Sequence, residues 1–238
     1  MKKEKVLFII PAYNEEESIL KTYNQIINYN KKNKKNYDVV VINDGSKDNT
    51  EKVLIENNIN HIKLINNLGI GGAVQTGYKY AYENDYDYAI QFDGDGQHNV
   101  NYAEQLLDPL RSKEFDMTIG SRFVKDIDTF KSSAARRMGI KIISFFIKLV
   151  TGKKIYDTTS GMRAINRKLI KEFSFEYPTE YPEPVSTTIM LKRKYKIEEV
   201  SVEMNERENG VSSIRAWKNI YYMINVVLSI LIIGIGEK

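Results

Sequence analysis

Apolar and polar positions fall into alternating blocks along the first hundred residues. Four short apolar runs predict strands, namely KVLFII (5–10), YDVVVIN (37–43), HIKLI (61–65) and YDYAIQF (86–92). Apolar residues at helical spacing between these runs predict helices, the first beginning at the good N-cap residue Asn14 with Glu17 three positions later. Strands that are apolar throughout and separated by helices indicate an α/β fold, a parallel sheet covered on both faces.

The pattern becomes less regular after about residue 115. It predicts a strand near MTIG (117–120), a basic apolar helix at about 132–151 and a strand IEEVSVEM (197–204), followed by an apolar tail. No internal repeat or long linker divides the chain. We therefore expect one domain over residues 1–213, in two halves of about 1–115 and 116–213, and a C-terminal helix over 214–238.

Polar or glycine-rich segments follow each of the first four predicted strands. They are PAYNEE (11–16), NDGSKDNT (43–50), NNLGIGGA (66–73) and DGDGQH (93–98). Ligands of open α/β sheets bind outside the carboxyl ends of the strands, so we expect one cleft to collect these segments.

The segment DGDGQH places two carboxylates, Asp93 and Asp95, one glycine apart. Like charges at this distance need open water or a cation that favours their closeness. Carboxylate oxygens suit Mg²⁺ or Mn²⁺, which also bind substrate phosphates, and Gly94 and Gly96 allow close approach of the backbone to a ligand. An acidic turn at a strand end is the competing interpretation.

Two further segments carry possible ligand contacts. Asp44 ends the second strand, where an acid can accept hydrogen bonds from a base or ribose or simply form a turn. The glycine-rich segment from 67 to 81 is not a dinucleotide fingerprint, because it follows the third strand, and it lacks the lysine of a P-loop. Three glycines of this segment, Gly69, Gly71 and Gly72, are as consistent with packing and helix initiation as with ligand contact.

Composition narrows the classes of function. The 238 residues include 42% hydrophobic residues, which suits a packed core, and no cysteine, which excludes disulfides, thiolate metal sites and cysteine nucleophiles. The N-terminal apolar run ends at Pro11 before acidic residues, so we interpret it as a strand and not a signal peptide. The net charge of +4 is modest and its lysines lie in asparagine-rich runs, so no nucleic-acid partner is expected.

The motifs PAYNEEESI, VINDGSKDNT, NLGIGGA and DGDGQH, followed by SRF and TSGMRAINR, resemble in this order the family 2 glycosyltransferases. The resemblance covers nearly the whole chain and is strongest to the polyprenyl-phosphate sugar transferase branch. It implies an A-type glycosyltransferase fold, a Rossmann-like and mostly parallel sheet flanked by helices, to which the apolar tail adds a C-terminal helix. The first half would bind a nucleotide-sugar, a UDP-sugar by expectation, with Mg²⁺ or Mn²⁺, and the second half the acceptor.

The same resemblance implies roles for individual residues. The nucleotide-sugar would be bound by Pro11, Ala12, Tyr13, Glu15, Asp44, Gly69, Asp93 and Gly94. The metal would be bound by Asp93, Asp95 and Gln97. Asp95 and a set of arginines would serve catalysis by stabilising charge on the diphosphate or acceptor phosphate, and these arginines are Arg122, Arg207 and either Arg136 or Arg137, with Arg163 a further candidate.

Two acceptors remain open. A polyprenyl phosphate is already ionised at neutral pH and needs orientation more than deprotonation, which favours transfer to a lipid in cell-surface glycan synthesis. A saccharide hydroxyl needs a general base, for which EYPEP offers Glu183 or Glu180. A third hypothesis, of another class, is a non-catalytic sugar-nucleotide-binding partner of a membrane protein.

The tail YYMINVVLSILIIGIG (221–236) would reach about 24 Å as a helix, shorter than the ~30 Å hydrocarbon core of a bilayer. A second apolar stretch studded with lysine, IKIISFFIKLVTGKK (140–154), suits a membrane interface. We expect a cytoplasmic protein attached peripherally to the cytoplasmic face of the cell membrane. The alternatives for the tail are a buried helix or a contact in a homo-oligomer, and a small membrane-protein partner is a further expectation.

Overall fold

One mixed sheet of seven strands organises the computed structural model, which describes residues 4–124, 134–204 and 216–236. The strands are β1 (Val6–Ala12), β2 (Asp38–Asn43), β3 (His61–Lys63), β4 (Tyr88–Gln91), β5 (Met117–Ser121), β6 (Arg163–Asn166) and β7 (Ile197–Ser201). Their order in the sheet is β3-β2-β1-β4-β6-β5-β7. Neighbours pair in parallel except at β6, which is antiparallel to both β4 and β5. The predicted α/β fold with a mostly parallel sheet is confirmed.

Helices cover both faces of this sheet. They are α1 (Ile19–Asn33), α2 (Thr50–Glu56), α3 (Gly69–Glu83), α4 (Ala103–Arg111), α5 (Ala134–Thr151), α6 (Arg167–Phe175), α7 (Pro182–Lys192) and α8 (Ala216–Gly236). Side chains alternate between the two faces along each strand. In β1, Leu7 and Ile9 join the core under α3 and α5–α8, whereas Phe8 and Ile10 join the core under α1, α2 and α4.

The strand ends meet at one edge because most of the strands run in the same direction. Ala12 and Asn43 are paired at the carboxyl ends of β1 and β2, and β4 ends nearby at Gln91. The reversed strand β6 begins at this same edge, with Arg163 paired to Gln91. The loops that follow these strands therefore lie together.

The first helix begins later than its capping pattern predicts. Helix α1 begins at Ile19, and Asn14 adopts a left-handed backbone with φ 56°. The side chain of Asn14 does not cap the helix because its Oδ1 accepts the backbone N–H of Lys47 at 2.8 Å, while its own N–H donates to Ser46 Oγ at 3.0 Å. A contact with the next loop thus replaces the predicted local cap.

The second half contains elements that the sequence pattern did not predict. The segment TSGMRAINR forms β6 and the first residue of α6, and EYPEP contains the start of α7, with Pro182 at the first helical position. Proline fits the first turn of a helix because its missing N–H has no partner there. The predicted strand IEEVSVEM is shorter than expected, since β7 ends at Ser201.

Helices α5 and α8 lie side by side and run parallel. Gly139 lies against Met223 near their amino ends, and Val150 lies against Gly234 near their carboxyl ends. Their inward residues are buried in the core, and these are Ile140, Ile143 and Ile147 of α5 and Val226 and Ile230 of α8. Over the part of the chain that the structure describes, no helix combines the length and the apolar character needed to cross a membrane.

The outward faces of these two helices are apolar. The exposed residues follow helical spacing and comprise Met138, Ile142, Phe145 and Leu149 of α5 and Tyr221, Ile224, Leu228, Ile232 and Ile235 of α8. We call these nine residues the outer apolar face. Exposed lysines border it on α5 and in the loop that follows, and they are Lys141, Lys148, Lys153 and Lys154.

Candidate functional site

The loop after β4, DGDGQH (93–98), carries the two predicted metal-binding aspartates, and we call it the aspartate loop. It is held in place by hydrogen bonds within the loop and from α1. Asp95 Oδ1 accepts the backbone N–H of Gln97 at 3.0 Å, and Gly96 has a φ of 77°, a conformation that favours glycine. Thr22 Oγ1 of α1 donates to the carbonyl of Gly94 at 3.0 Å. These contacts give the loop a defined shape at the strand edge.

A glycine from the opposite side of the site contacts the first of these aspartates. A Cβ atom at Gly161 would lie 2.6 Å from Oδ2 and 2.7 Å from Oδ1 of Asp93, closer than real Cβ atoms approach oxygen. The segment before β6 thus needs glycine there to let the Asp93 carboxylate pack against its backbone. Gly161 was not predicted as a site residue, although it lies in TSGMRAINR, one of the motifs that carry the resemblance.

His98, the last residue of DGDGQH, is buried and forms a hydrogen bond with the backbone of the same aspartate. Its ring is 2% exposed, and Nδ1 accepts the backbone N–H of Asp93 at 3.0 Å. The pKa of His98 is lowered to about 4, mainly by burial and in part by the positive charge of Arg122, while the negative charge of Asp95 opposes the decrease. The ring is therefore neutral at neutral pH. His98 was part of the quoted motif but was not predicted as a site residue.

The carboxyl end of β1 contacts both the aspartate loop and the end of β2. Asp44 donates its backbone N–H to the carbonyl of Ala12 at 2.9 Å, and a Cβ atom at Gly94 would lie 3.2 Å from the carbonyl of Pro11. Tyr13 is 43% exposed at this edge. The backbone N–H of Glu15 donates to Thr50 Oγ1 at 2.9 Å, which holds the main chain of Glu15 in place. The structure thus brings these predicted nucleotide-binding residues together.

The Asp44 carboxylate also organises the start of α3. The backbone N–H of Leu68 donates to Asp44 Oδ1 at 2.7 Å, which satisfies a donor at the amino end of the helix. Burial raises the pKa of Asp44, and hydrogen bonds from the backbone of Leu68 and Gly69 oppose the increase. One carboxylate oxygen of Asp44 therefore has a structural partner.

The glycines of the 67–81 segment divide between turn and packing roles. Gly69 has a φ of 76°, and nothing lies within 4 Å of the position that its Cβ would occupy. Gly71 packs against the loop before α7, since a Cβ there would lie 2.3 Å from the carbonyl of Pro178. Close packing therefore accounts for Gly71, whereas Gly69 serves the turn into α3.

Arg122 lies in a buried charge cluster at the end of β5. Its Nε and Nη2 contact Oδ2 and Oδ1 of Asp157 at 2.7 and 2.8 Å, and Nη2 also donates to Thr159 Oγ1 at 3.2 Å. Glu199 of β7 accepts the backbone N–H groups of Tyr156 and Asp157, both at 2.7 Å, and burial raises its pKa. Asp157 and Glu199 were not predicted as site residues, and no local signal marked them.

The other predicted cations are less fully described. Arg207 lies outside the described residues, and Arg136 belongs to α5 but its side chain is outside the described part. Arg137 is exposed on the same helix. The choice between Arg136 and Arg137 therefore stays a prediction.

A second buried polar cluster lies between β4, β6 and α7. Arg163 is 1% exposed and donates to Ser186 Oγ and Thr187 Oγ1 at 3.2 and 3.0 Å, so it is a buried structural cation. Its strand partner Gln91 is fully buried, and neither polar atom of the Gln91 side chain has a hydrogen-bond partner of normal geometry.

Glu183 lies beside this cluster in the first turn of α7. Burial raises the pKa of Glu183, the positive charge of Arg163 opposes the increase, and the negative charge of Asp93 adds to it. A carboxylate near the loop with a raised pKa is suited to accept a proton.

The donor set of the aspartate loop fits a hard divalent cation. The side chains of Asp93, Asp95 and Gln97 are half-buried, so each reaches the surface of the cleft. Mg²⁺ typically binds one or two carboxylates, with waters and substrate phosphates as its other ligands. Within the described ranges no group of three or more His, Cys, Asp or Glu side chains is placed to hold a metal ion, so a ligand's own oxygens would have to complete the coordination.

Comparison with known proteins agrees with this architecture. The family model described as "Glycosyl transferase family 2" matches residues 7–174. The UDP-N-acetylglucosamine–dolichyl-phosphate N-acetylglucosaminyltransferase of Methanococcus voltae is 31% identical over 210 residues, which cover 81% of each chain. The undecaprenyl-phosphate mannosyltransferase of Micrococcus luteus is 28% identical over 216 residues, covering 87% of this chain and 86% of that protein.

A solved structure shares the fold. The glucosyl-3-phosphoglycerate synthase of Mycobacterium tuberculosis, crystallised with Mn²⁺, uridine diphosphate and glucosyl-3-phosphoglycerate, superimposes with a TM-score of 0.70. The match covers 99% of this chain and 81% of that one at 17% sequence identity. At this identity the similarity establishes the Rossmann-like glycosyltransferase architecture.

Proposed function

Because this chain belongs to glycosyl transferase family 2, we propose that it transfers one sugar from a nucleotide-sugar to a polyprenyl phosphate. The observation that carries the proposal is the convergence of Asp93, Asp95 and Asp44 at one sheet edge, together with the Pro11–Glu15 segment. The names of the two relatives above, both polyprenyl-phosphate sugar transferases, support this acceptor, and that of the Methanococcus voltae protein supports a UDP-sugar donor.

Each part of the edge has a proposed task in donor binding. The exposed ring of Tyr13 and the Asp44 carboxylate would contact the base and ribose, and Pro11, Ala12, Glu15 and Gly69 would shape that pocket. Gly94 lets the loop pack closely against β1, and Gly161 lets the segment before β6 pack against the Asp93 carboxylate. The proposed donor site thus spans the ends of β1, β2 and β4.

The side chains of Asp93, Asp95 and Gln97 would hold Mg²⁺ or Mn²⁺ against the donor diphosphate. The bound cation supplies Lewis-acid stabilisation of the negative charge that develops when the nucleoside diphosphate leaves. Arg122 lies near enough to His98 to affect its pKa and is fixed by Asp157, so we assign it a supporting positive charge at the same place, with Arg207 and Arg136 or Arg137 as proposed partners.

The acceptor phosphate needs no general base, because its second pKa lies near 6. Direct attack of its oxygen on the anomeric carbon is a single displacement, so we propose that the transfer inverts the anomeric configuration. Formation of a lipid-linked sugar in this way would serve cell-surface glycan synthesis.

A saccharide hydroxyl is the second candidate acceptor, and the position of Glu183 favours it. Burial and the negative charge of Asp93 both raise the pKa of Glu183, and a raised pKa suits a general base. Under this alternative the variant Glu183→Gln loses transfer, whereas transfer to a polyprenyl phosphate should largely survive the change.

We also propose that the outer apolar face attaches the protein to the cytoplasmic face of the cell membrane. Nine exposed apolar residues on two packed helices, bordered by lysines, match an interface between acyl chains and anionic headgroups. In this arrangement residues 1–213 form the catalytic domain, and 214–238 supply part of the membrane contact. Contact with a small membrane protein or a second copy is the alternative use of this face.

A product assay tests the reaction. The purified chain is incubated with UDP- and GDP-sugars, a short polyprenyl phosphate and Mn²⁺ or Mg²⁺, and glycolipids are detected by mass spectrometry. We expect a prenyl-phosphate sugar from at least one donor, with its formation abolished by EDTA and restored by the metal. Donor hydrolysis or transfer would eliminate the non-catalytic binding hypothesis, and no turnover of any donor would overturn the proposed function.

The chain provides a matched control for the aspartates. Asp85 and Asp87 have the same spacing but lie before β4, at the opposite sheet edge, where Asp85 contacts Arg167 and Asp87 accepts the Lys5 N–H. The double variant Asp93→Asn/Asp95→Asn should lose activity, and Asp85→Asn/Asp87→Asn should retain it. Full activity of the first double variant would contradict the assigned site.

A further inference from the structure

A short bridge closes the aspartate loop from within. His98 and Asp93 are five residues apart, and the backbone N–H of Asp93 donates to the imidazole Nδ1 at 3.0 Å. The ring stands edge-on to Phe92, with centroids 5.3 Å apart and the planes at 75°. The first and last residues of DGDGQH are therefore joined directly, and the joint is buried.

This hydrogen bond determines which nitrogen of the His98 ring carries the proton. A backbone N–H can only donate, so the Nδ1 atom that receives it carries no proton. The proton of the neutral ring therefore lies on Nε2, which is 3.4 Å from Asp93 Oδ2. One face of the Asp93 carboxylate is thus next to the ring, and Gly161 packs on it from the segment before β6.

We propose that His98 is a positioning residue, which fixes the Asp93 backbone and carboxylate in the place needed to bind the divalent cation. The inference rests on the proposed function, because it takes Asp93 to be a metal ligand. Residues that orient metal ligands typically affect metal affinity by 10- to 100-fold when they are changed. The His98 side chain is 2% exposed, so its proposed role is exerted through Asp93.

Two variants separate the hydrogen bond from the bulk of the ring. His98→Phe keeps an aromatic ring against Phe92 but removes both nitrogens. His98→Asn retains an acceptor, because its Oδ1 is bonded to Cγ as Nδ1 is in histidine. The control for His98→Phe is His61→Phe, the same change at the other histidine of the chain. His61 lies on β3, and its Nδ1 contacts the Ile59 carbonyl at 2.8 Å.

Affinity for Mn²⁺ in the presence of UDP, followed by the electron paramagnetic resonance signal of free Mn²⁺, is the main readout. We expect about a 10- to 100-fold weaker affinity for His98→Phe, within a few fold of wild type for His98→Asn, and no change for His61→Phe. Thermal unfolding of each variant separates a loss of metal affinity from a loss of fold. Equal affinity of wild type and a folded His98→Phe would overturn the proposal.

A second measurement tests the bridge independently of the metal. In ¹⁵N-labelled full-length protein, a scalar coupling across the hydrogen bond is expected between the Asp93 amide nitrogen and His98 Nδ1, with the ring proton on Nε2. Its absence, or a proton on Nδ1, overturns the proposal. If the coupling is present but wild type binds no Mn²⁺ with UDP or with other nucleoside diphosphates, then the assignment of Asp93 as a metal ligand fails, and the proposed function and the positioning role fail with it.

Discussion

Arg122 and Asp157 form a buried ion pair through two contacts, Nε to Oδ2 at 2.7 Å and Nη2 to Oδ1 at 2.8 Å. The Arg122 side chain is 5% exposed and that of Asp157 is fully buried. The carboxylate also accepts the backbone N–H of Arg122 at 3.1 Å, so it fixes both the main chain and the guanidinium. A fixed guanidinium near the aspartate loop is better placed to stabilise charge than a flexible one, because it needs no reorganisation during the reaction.

Removing the charge of Asp157 should therefore destabilise the protein. In Asp157→Asn the guanidinium of Arg122 keeps its burial but loses its main counter-charge, which typically costs about 3–5 kcal/mol when a buried pair is broken. Urea denaturation followed by circular dichroism measures the change.

The surface pair of Asp85 with Arg167 provides the control. Its closest contact is 2.6 Å, but Asp85 and Arg167 are 70% and 44% exposed. Exposed pairs contribute about 0–1 kcal/mol, so Asp85→Asn should have little effect. Equal losses of stability in the two variants would contradict the role given to burial.

Gly161→Ala tests the contact with the aspartate loop. The new methyl group would lie within 2.7 Å of both carboxylate oxygens of Asp93 and must displace them. A displacement of about 1 Å can lower kcat/KM by roughly 100-fold, and we expect a loss of this size in the transfer assay. Gly236→Ala, where nothing lies within 4 Å of the added atom, is the control and should retain activity. Unchanged kinetics of Gly161→Ala would show that Asp93 need not occupy its observed place.

The pH dependence of stability should reveal Glu183. Burial raises its pKa above the ordinary value of 4.5, so the folded chain retains a proton that the unfolded chain loses. Its contribution to stability therefore decreases as the pH rises from about 4.5 through the folded pKa. Because glutamine does not titrate, the free energy of unfolding of Glu183→Gln relative to wild type should increase over that interval and then remain constant.

Urea denaturation at several pH values between about 4 and 8 measures this difference. Glu180→Gln removes a carboxylate from an exposed position three residues earlier and serves as the control. A relative stability of Glu183→Gln that does not change with pH would contradict the prediction.

Polar substitutions on the outer apolar face should weaken membrane binding. Phe145 and Leu228 are 60% and 51% exposed on α5 and α8, and burying such a side chain contributes about 1.5 kcal/mol or more. The double variant Phe145→Ser/Leu228→Ser should therefore bind vesicles of phosphatidylcholine and phosphatidylglycerol roughly 100-fold more weakly. Ile65→Ser, at a residue 96% exposed but far along the chain from both helices, is the control in the sedimentation assay. Unchanged sedimentation of the double variant would remove the proposed membrane contact.

Local patterns predicted the elements of the first half well, because each strand there is a continuous apolar run. The same reasoning failed at Asn14, whose side chain contacts the following loop instead of its own helix. It also failed at β6, a strand of four residues whose arginine is buried by hydroxyl partners from α7. Both failures have one cause, since the stabilising partners are distant in sequence.

The sequence by itself determined the parallel arrangement, the polar ends of its strands and the acidic motif DGDGQH, because these depend on periodicity and on neighbouring residues. The tertiary structure alone decided which side chains support that motif. Arg122 is paired with Asp157 across 35 residues, and Gly161 contacts Asp93 because the reversed strand β6 lies between β4 and β5. Contacts of this kind depend on the order of the strands in the sheet and on the reversal of β6, and the hydrophobic periodicity of the chain revealed neither.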